Sequence, residues 1–388
     1  MSFWLGNSLV VVAVLLLHFL FRPRVDLQRA TSQREHIDSG EYAPDSVGSR
    51  SKQDACGSRL QPDACIDFDL KTARMRSFLY VNKTVRYPYF QTMAHQPMHP
   101  NNWIEIDKHY RRYVEDKAEV IKSQGRNVLD SLPENDEACR ELLEELSRYL
   151  PQRYPTLFRS DMANSIVNLV TNTSFEDLNK ATGIEALRII SCLVQDDFLM
   201  SREREDGQIY LVGGLIAFPG SYLLSETIGK PLRELHAPVP HFNEKLLLSV
   251  ERTLKKFKPD QPFERSSWMI VDDENLFWHH IADAPPEPHV HPQDLYLRVD
   301  HQTFRKLPRT GAIIFGVHPV LHKIEDLADS PLIPALLEKV HRESDPALLK
   351  YKGTYKYDKI LLPYLRELTA SQLERGLISY VVPPRRCS

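Results

Sequence analysis

The chain predicts an α+β fold, an antiparallel sheet with helices packed on one side. Three observations carry that expectation. β-rich runs at 209–218, 268–271, 295–299 and 312–317 recur at irregular intervals, amphipathic helical patterns of unequal length lie between or beside them, and no internal repeat is evident. With 388 residues, 42% hydrophobic and 26% charged, the chain can bury a substantial core, and one large domain with ragged ends is the expected organisation.

Taken in order, residues 1–24 read as a membrane signal anchor. Phe3 to Phe21 carries no charged residue, Leu9 to Leu17 is an unbroken apolar run, and Arg22, Arg24, Arg29 and Arg34 follow at once. Positive charge on the C-terminal side puts the body of a single-pass protein in the cytosol, with the endoplasmic reticulum as the expected membrane. The sequons Asn82-Lys83-Thr84 and Asn172-Thr173-Ser174 point the other way, although such tripeptides also arise by chance. Residues 25–77 are polar, rich in Ser, Asp, Arg and Gln, and read as a flexible stalk. Globular texture spans 78–368, and 369–388 form a tail.

Within that body, Leu142, Leu143, Leu146, Tyr149 and Leu150 recur at helical spacing over 137–150, and Pro151 is expected to stop the helix. A second helix is expected over 184–199. A third, over 243–257, carries Leu246, Leu247, Val250, Leu254 and Phe257, and 331–340 makes a fourth.

Several function classes fail on the residues they require. The net charge of −3 and the lack of a basic stripe with interleaved aromatics set nucleic acid aside. Five cysteines without a C-x-x-C pair argue against a disulfide scaffold and an internal iron–sulfur cluster. Gly213-Gly214 has neither Rossmann nor Walker spacing, and no G-x-S-x-G elbow is present. A haem-thiolate site needs a cysteine in a glycine-rich loop, whereas Cys192 sits among apolar neighbours and reads as core. The histidines His279, His280, His289 and His291 lie among prolines and acids, which reads as an exposed insertion or, less simply, a metal-binding loop.

The run His236-Ala-Pro-Val-Pro-His241 is the most informative stretch. Two prolines stiffen it and remove backbone donors that compete for an imidazole, which suits His236 as an axial metal or haem ligand. A hydrogen-bonded structural histidine is the plainer reading of the same run.

Between Tyr87 and Leu365 the chain resembles the haem-dependent oxidative N-demethylase alpha-subunit family, in a fungal-type form. The resemblance runs through Tyr89-Phe90-Gln91-Thr92-Met93-Ala94, Trp103-Ile104-Glu105-Ile106-Asp107 and Leu150-Pro151-Gln152-Arg153-Tyr154-Pro155. It continues through Val194-Gln195-Asp196-Asp197, Phe218-Pro219, Gly229-Lys230-Pro231-Leu232 and the His236 run, then Arg265-Ser-Ser-Trp268, 297–308 and Tyr351-Lys352-Gly353. It implies a haem-binding PAS-like domain whose activity is O2-dependent removal of a methyl group from a small amine. Electrons are implied to come from a separate flavin and iron–sulfur reductase using NAD(P)H.

On that pattern His236 is the expected iron ligand, with Pro238, Trp268, Arg265 and Arg305 as further cofactor-binding candidates. The opposite side of a haem so held stays open for O2. If 298–308 is a strand, Arg298, Asp300 and Gln302 share one side and Val299, His301 and Thr303 the other, which makes the first three the catalytic candidates. Asp300 is placed to pair with an ammonium substrate. The competing reading makes Arg298, Asp300 and Arg305 a structural ion-pair network at the sheet edge.

The family usually shows Glu-Arg where this chain has Asp300-His301, and Asn-Trp where it has Ser267-Trp268. Asp is one methylene shorter than Glu, so the expected substrate is an amine other than dimethylamine, and tailoring of a specialised metabolite fits the same chemistry. A haem-binding sensor and a haem carrier are the non-enzymatic alternatives, although no segment long enough to be an output domain flanks 78–368.

Overall fold

A computed structural model describes residues 59–80, 84–279 and 290–379. The anchor, most of the stalk, Asn82, His280 and His289 therefore lie outside the described residues. Among those described, no helix is long and apolar enough to cross a membrane.

The molecule is α+β. Its strands are β1 (Gln96–Pro97), β2 (Leu129–Ser131), β3 (Phe158–Arg159), β4 (Ile166–Asn168), β5 (Thr173–Phe175), β6 (Asp197–Glu203), β7 (Ile209–Leu215), β8 (Phe263–Val271), β9 (Tyr296–Lys306) and β10 (Ile313–Lys323). Seven of them form one antiparallel sheet in the order β1-β8-β9-β10-β6-β7-β2, and β3-β4-β5 form a small second sheet. The helices are α1 (Tyr110–Gln124), α2 (Asp136–Arg153), α3 (Gly183–Ser191), α4 (Leu224–Thr227), α5 (Leu232–Leu235), α6 (Phe242–Lys245), α7 (Leu247–Lys256), α8 (Ile333–Glu343), α9 (Pro346–Tyr351) and α10 (Asp358–Glu374).

Helices cover both faces of the main sheet, not one. On one face α1, α2 and α3 pack with Phe198, Met200 and Ile314, while α8 and α10 pack with Leu297, Val299 and Val320. On the other, α5, α6 and α7 set Leu232, Phe242, Val250 and Leu254 against Phe263, Phe304 and Ile313. A strand covered on both sides cannot show a clean polar and apolar alternation.

Three other expectations shift for identifiable reasons. The helix over 137–150 begins at Asp136 and continues to Arg153, because Pro151 falls in its last turn, where only its own N–H is lost. The helix expected over 184–199 ends at Ser191, and Leu199 lies in β6. The intervening Gln195, Asp196 and Asp197 are tied to Asp107, His318 and Lys117, contacts that a continued helix would break. The structured body also starts before 78: Leu60 is buried, and Cys65, Phe68 and Leu70 pack against the core.

Gly213 and Gly214 prove to be close-packing residues. A Cβ on Gly214 would lie 2.5 Å from the Phe198 carbonyl oxygen, and one on Gly213 would lie 2.6 Å from the Asn135 amide nitrogen.

Candidate functional site

The sheet face under α5 to α7 closes a cavity of about 420 Å3, within the usual range for small-molecule and cofactor sites. Strand alternation supplies its floor: Arg298, Asp300, Gln302 and Phe304 from β9, and Arg265, Ser267 and Met269 from β8. His236 enters from the helical wall.

His236 ends α5, and its ring stacks on Phe242 with centroids 4.1 Å apart and planes 13° from parallel. Its Nδ1 lies 3.0 Å from the Leu232 carbonyl oxygen. A carbonyl only accepts, so Nδ1 carries the proton and Nε2 keeps its lone pair. Burial lowers the pKa of the ring, which keeps it neutral. A neutral imidazole oriented by a carbonyl at its second nitrogen is the form that ligates a metal. Pro238 is exposed and absent from the cavity wall, so its part is confined to stiffening the chain after His236. His241 also points elsewhere, 3.4 Å from Asp345.

The floor carries a graded set of charges. Arg298 is fully buried: its Nε donates to Asp300 at 2.8 Å, and its remaining nitrogens donate to the carbonyls of Phe218 (2.7 Å), Pro219 (3.3 Å) and Leu276 (3.4 Å). Gly220 lets the 218–220 segment lie close, since a Cβ there would stand 3.1 Å from Met269 and 3.7 Å from Asp300 Oδ2. Gln302 accepts from Arg265 Nε at 2.6 Å and donates to Ser267 at 3.2 Å. Thus Arg298 and Asp300 form an ion pair, but in a central strand and not at a sheet edge.

Arg305 does not belong to this site. Alternation turns it to the opposite side of the sheet, where it is wholly buried, pairs with Glu145 and stacks over Trp103 at 4.2 Å. Trp268 borders the cavity, but its ring belongs to the core with Leu297 and Val299. Its buried Nε1 has no hydrogen-bond partner among the described residues.

Two cations in the cavity wall have no carboxylate partner among the described residues. Arg265 is held only by Gln302 and the carbonyls of Thr92 and Met93, at 3.5 and 3.4 Å, and desolvation lowers its pKa to about 10. Lys352 donates to the Trp268 carbonyl and lies over the rings of Trp268 (4.5 Å) and Tyr89 (5.4 Å). Since Arg298 and Asp300 cancel, these two leave the wall with positive charge that a ligand must match.

Sequence reasoning missed Lys352 and Asp197 as cavity residues, though both sit in the quoted motifs Tyr351-Lys352-Gly353 and Val194-Gln195-Asp196-Asp197. Most of the histidine-rich loop lies outside the described residues, and among the described residues no group of three or more metal-ligating side chains is present.

Residues 94–362 match the family described as "Haem-dependent oxidative N-demethylase, alpha subunit-like". That span contains the whole main sheet, the cavity floor, His236 and Lys352. The chain belongs to the haem-dependent oxidative N-demethylase alpha subunit-like family.

Proposed function

We propose that this protein is a haem-dependent, O2-using oxidoreductase that removes a methyl group from a small amine. The observation that carries the reading is one cavity holding both a ligand-ready histidine and two cations with no carboxylate partner among the described residues. A neutral imidazole is one of the side chains that hold haem iron, and positive groups suit its two propionates, so the residues present fit it. His236 would hold the iron, and Arg265 and Lys352 would face the carboxylates. When bound, haem supplies the iron centre at which O2 is activated.

The chain's own residues do the rest. Leu232 fixes the tautomer of His236 through its carbonyl. Asp300 gives one oxygen to Arg298, leaving Oδ2 toward Gly220 to accept from an ammonium group, and Arg298 keeps the carboxylate in one orientation. Leu232, Phe242, Val250 and Leu254 exclude water from the helical side.

Membership in a family of alpha subunits suits electron supply by a separate flavin and iron–sulfur protein using NAD(P)H. We keep residues 1–24 as a membrane anchor under the same reading, with the catalytic body on the cytosolic side. The test is turnover by the full chain with haem, an added reductase and a panel of N-methyl amines, following O2 uptake and formaldehyde. Stoichiometric formaldehyde from at least one amine supports the enzyme. Full haem loading with no amine-dependent O2 uptake across the panel would favour a sensor or a carrier.

A further inference from the structure

Behind the cavity lies a buried cluster of five ionisable side chains that the reading above does not use. His318 of β10 sits between two carboxylates, with Nε2 3.8 Å from Asp107 and Nδ1 3.5 Å from Asp196. Next to Asp196, Asp197 meets Lys117 of α1 at 3.2 Å. Their side chains are at most 5% exposed. Asp197 also contributes to the cavity wall, which gives the cluster an outlet.

The charges do not balance: three carboxylates face two bases. Asp107 has further support from the N–H groups of His109 and Gln195. Lys117 donates to the carbonyls of Val194 and Asp196 and pairs with Asp197, whose Oδ2 accepts the Phe218 N–H at 2.6 Å. Cys192 adds no positive charge, and Arg298 is committed to Asp300 and reaches this region only through the Phe218 carbonyl. An uncompensated carboxylate at this depth is costly, and the ordinary remedy is to bind a proton.

We propose that the cluster stores one dissociable proton on Asp197 and releases it into the cavity during oxygen chemistry. Several atoms fit a store better than a rigid salt bridge. Asp196 Oδ2, Asp197 Oδ1 and His318 Nδ1 are buried without a well-formed hydrogen bond. Burial raises the pKa of Asp197 against the pull of Lys117, whereas His318 is pushed up to about 10 because Asp196 and Asp107 overcome its burial. Of the three carboxylates Asp197 is the one that reaches the cavity wall, while His318 is wedged between the other two.

The proton balance is simple. The Asp197 carboxylic acid gives its proton to a basic atom in the cavity and becomes a carboxylate. A proton taken up from solvent through the cavity then restores the Asp197 acid. Inserting one oxygen atom of O2 and reducing the other to water consumes two electrons, from the external reductase, and two protons. This role rests on the oxygenase reading, but the stored proton itself does not.

The test is Asp197→Asn in the full chain, because Asn imitates the protonated acid. Infrared difference spectra in H2O and D2O, taken without haem, should show a protonated carboxyl band at neutral pH in the wild type and lose it in the variant. The variant should keep the wild-type denaturation midpoint. With haem it should keep the wild-type absorption spectrum, while turnover falls about a hundredfold. Absence of the band in the wild type, its survival in the variant, or a variant that is strongly destabilised or does not fold would overturn the proposal, since the last means that Asp197 is an ionised structural partner of Lys117. A wild-type chain that binds no haem would defeat the oxygenase reading and leave the infrared and stability results to judge the store alone.

Discussion

The two faces of strand β9 handle charge in opposite ways. On the side away from the cavity, Arg305 meets Glu145, and His301 lies 2.8 Å from Glu264, which Arg76 also reaches at 3.3 Å. On the cavity side, Arg298 and Asp300 cancel, but Arg265 beside them and Lys352 at the rim have no carboxylate partner among the described residues. Charge matched inside the protein is architecture. Charge left unmatched in a concave wall marks where a ligand has to supply the counter-charge.

The largest effect should come from breaking the matched side. Glu145→Ala leaves Arg305 buried without its carboxylate and also frees Arg148 and Arg59, so unfolding free energy should fall by about 3–5 kcal/mol. Urea denaturation measures this, and the protein that remains folded should bind haem normally. Removing an unmatched charge should do the reverse. Arg265→Ala should leave the haem-free chain at least as stable as wild type, because no ion pair is lost. Its haem affinity should fall by about ten- to a hundredfold, the worth of a charge-assisted hydrogen bond, as read by haem titration.

A smaller effect is expected from Asp300→Asn. Arg298 keeps its three carbonyl partners, so haem content should stay at the wild-type level while KM for the amine rises about tenfold. An unchanged KM would return Asp300 to a purely structural role.

The matched side also predicts a pH profile of stability. His301 and Arg76 overcome the burial of Glu264 and depress its pKa from 4.5 to about 2, so its contribution is present above 4.5 and is lost as pH falls toward 2. His318 is raised from 6.5 to about 10, so its contribution is complete below 6.5 and is lost as pH rises toward 10. Together they place maximal stability between 4.5 and 6.5. In His318→Gln the alkaline slope should flatten while the acid slope remains, as denaturation midpoints across pH will show.

The same contrast explains what was legible in the sequence. Helix α7 was readable because its apolar positions face one core and its polar ones face solvent. Helix α1 was not, because Lys117 occupies a core position amid Tyr110, Tyr113, Val114 and Ile121 and breaks the apolar period. β8 was read only at its apolar end, and β9 over 295–299 with 298–308 as a conditional strand, since Glu264 to Ser267 and Arg298 to Arg305 place polar groups on both buried faces. Those polar stretches are where the cavity floor lies. Arg305 was misassigned because motif proximity does not reveal side, whereas counting by two from Arg298 puts it opposite. Lys352 was hidden as a site residue because its place in the wall depends on tertiary packing of the 351–353 turn beside β8.

The proposed function requires His236 to hold the iron. The direct measurement is the absorption spectrum of the purified full chain reconstituted with haem, compared with His236→Ala and His241→Ala. A Soret band at one haem per chain is expected in the wild type and in His241→Ala, with loss or a marked shift of that band in His236→Ala. A wild-type chain that takes up no haem, or a His236→Ala protein with an unaltered Soret band, would contradict it.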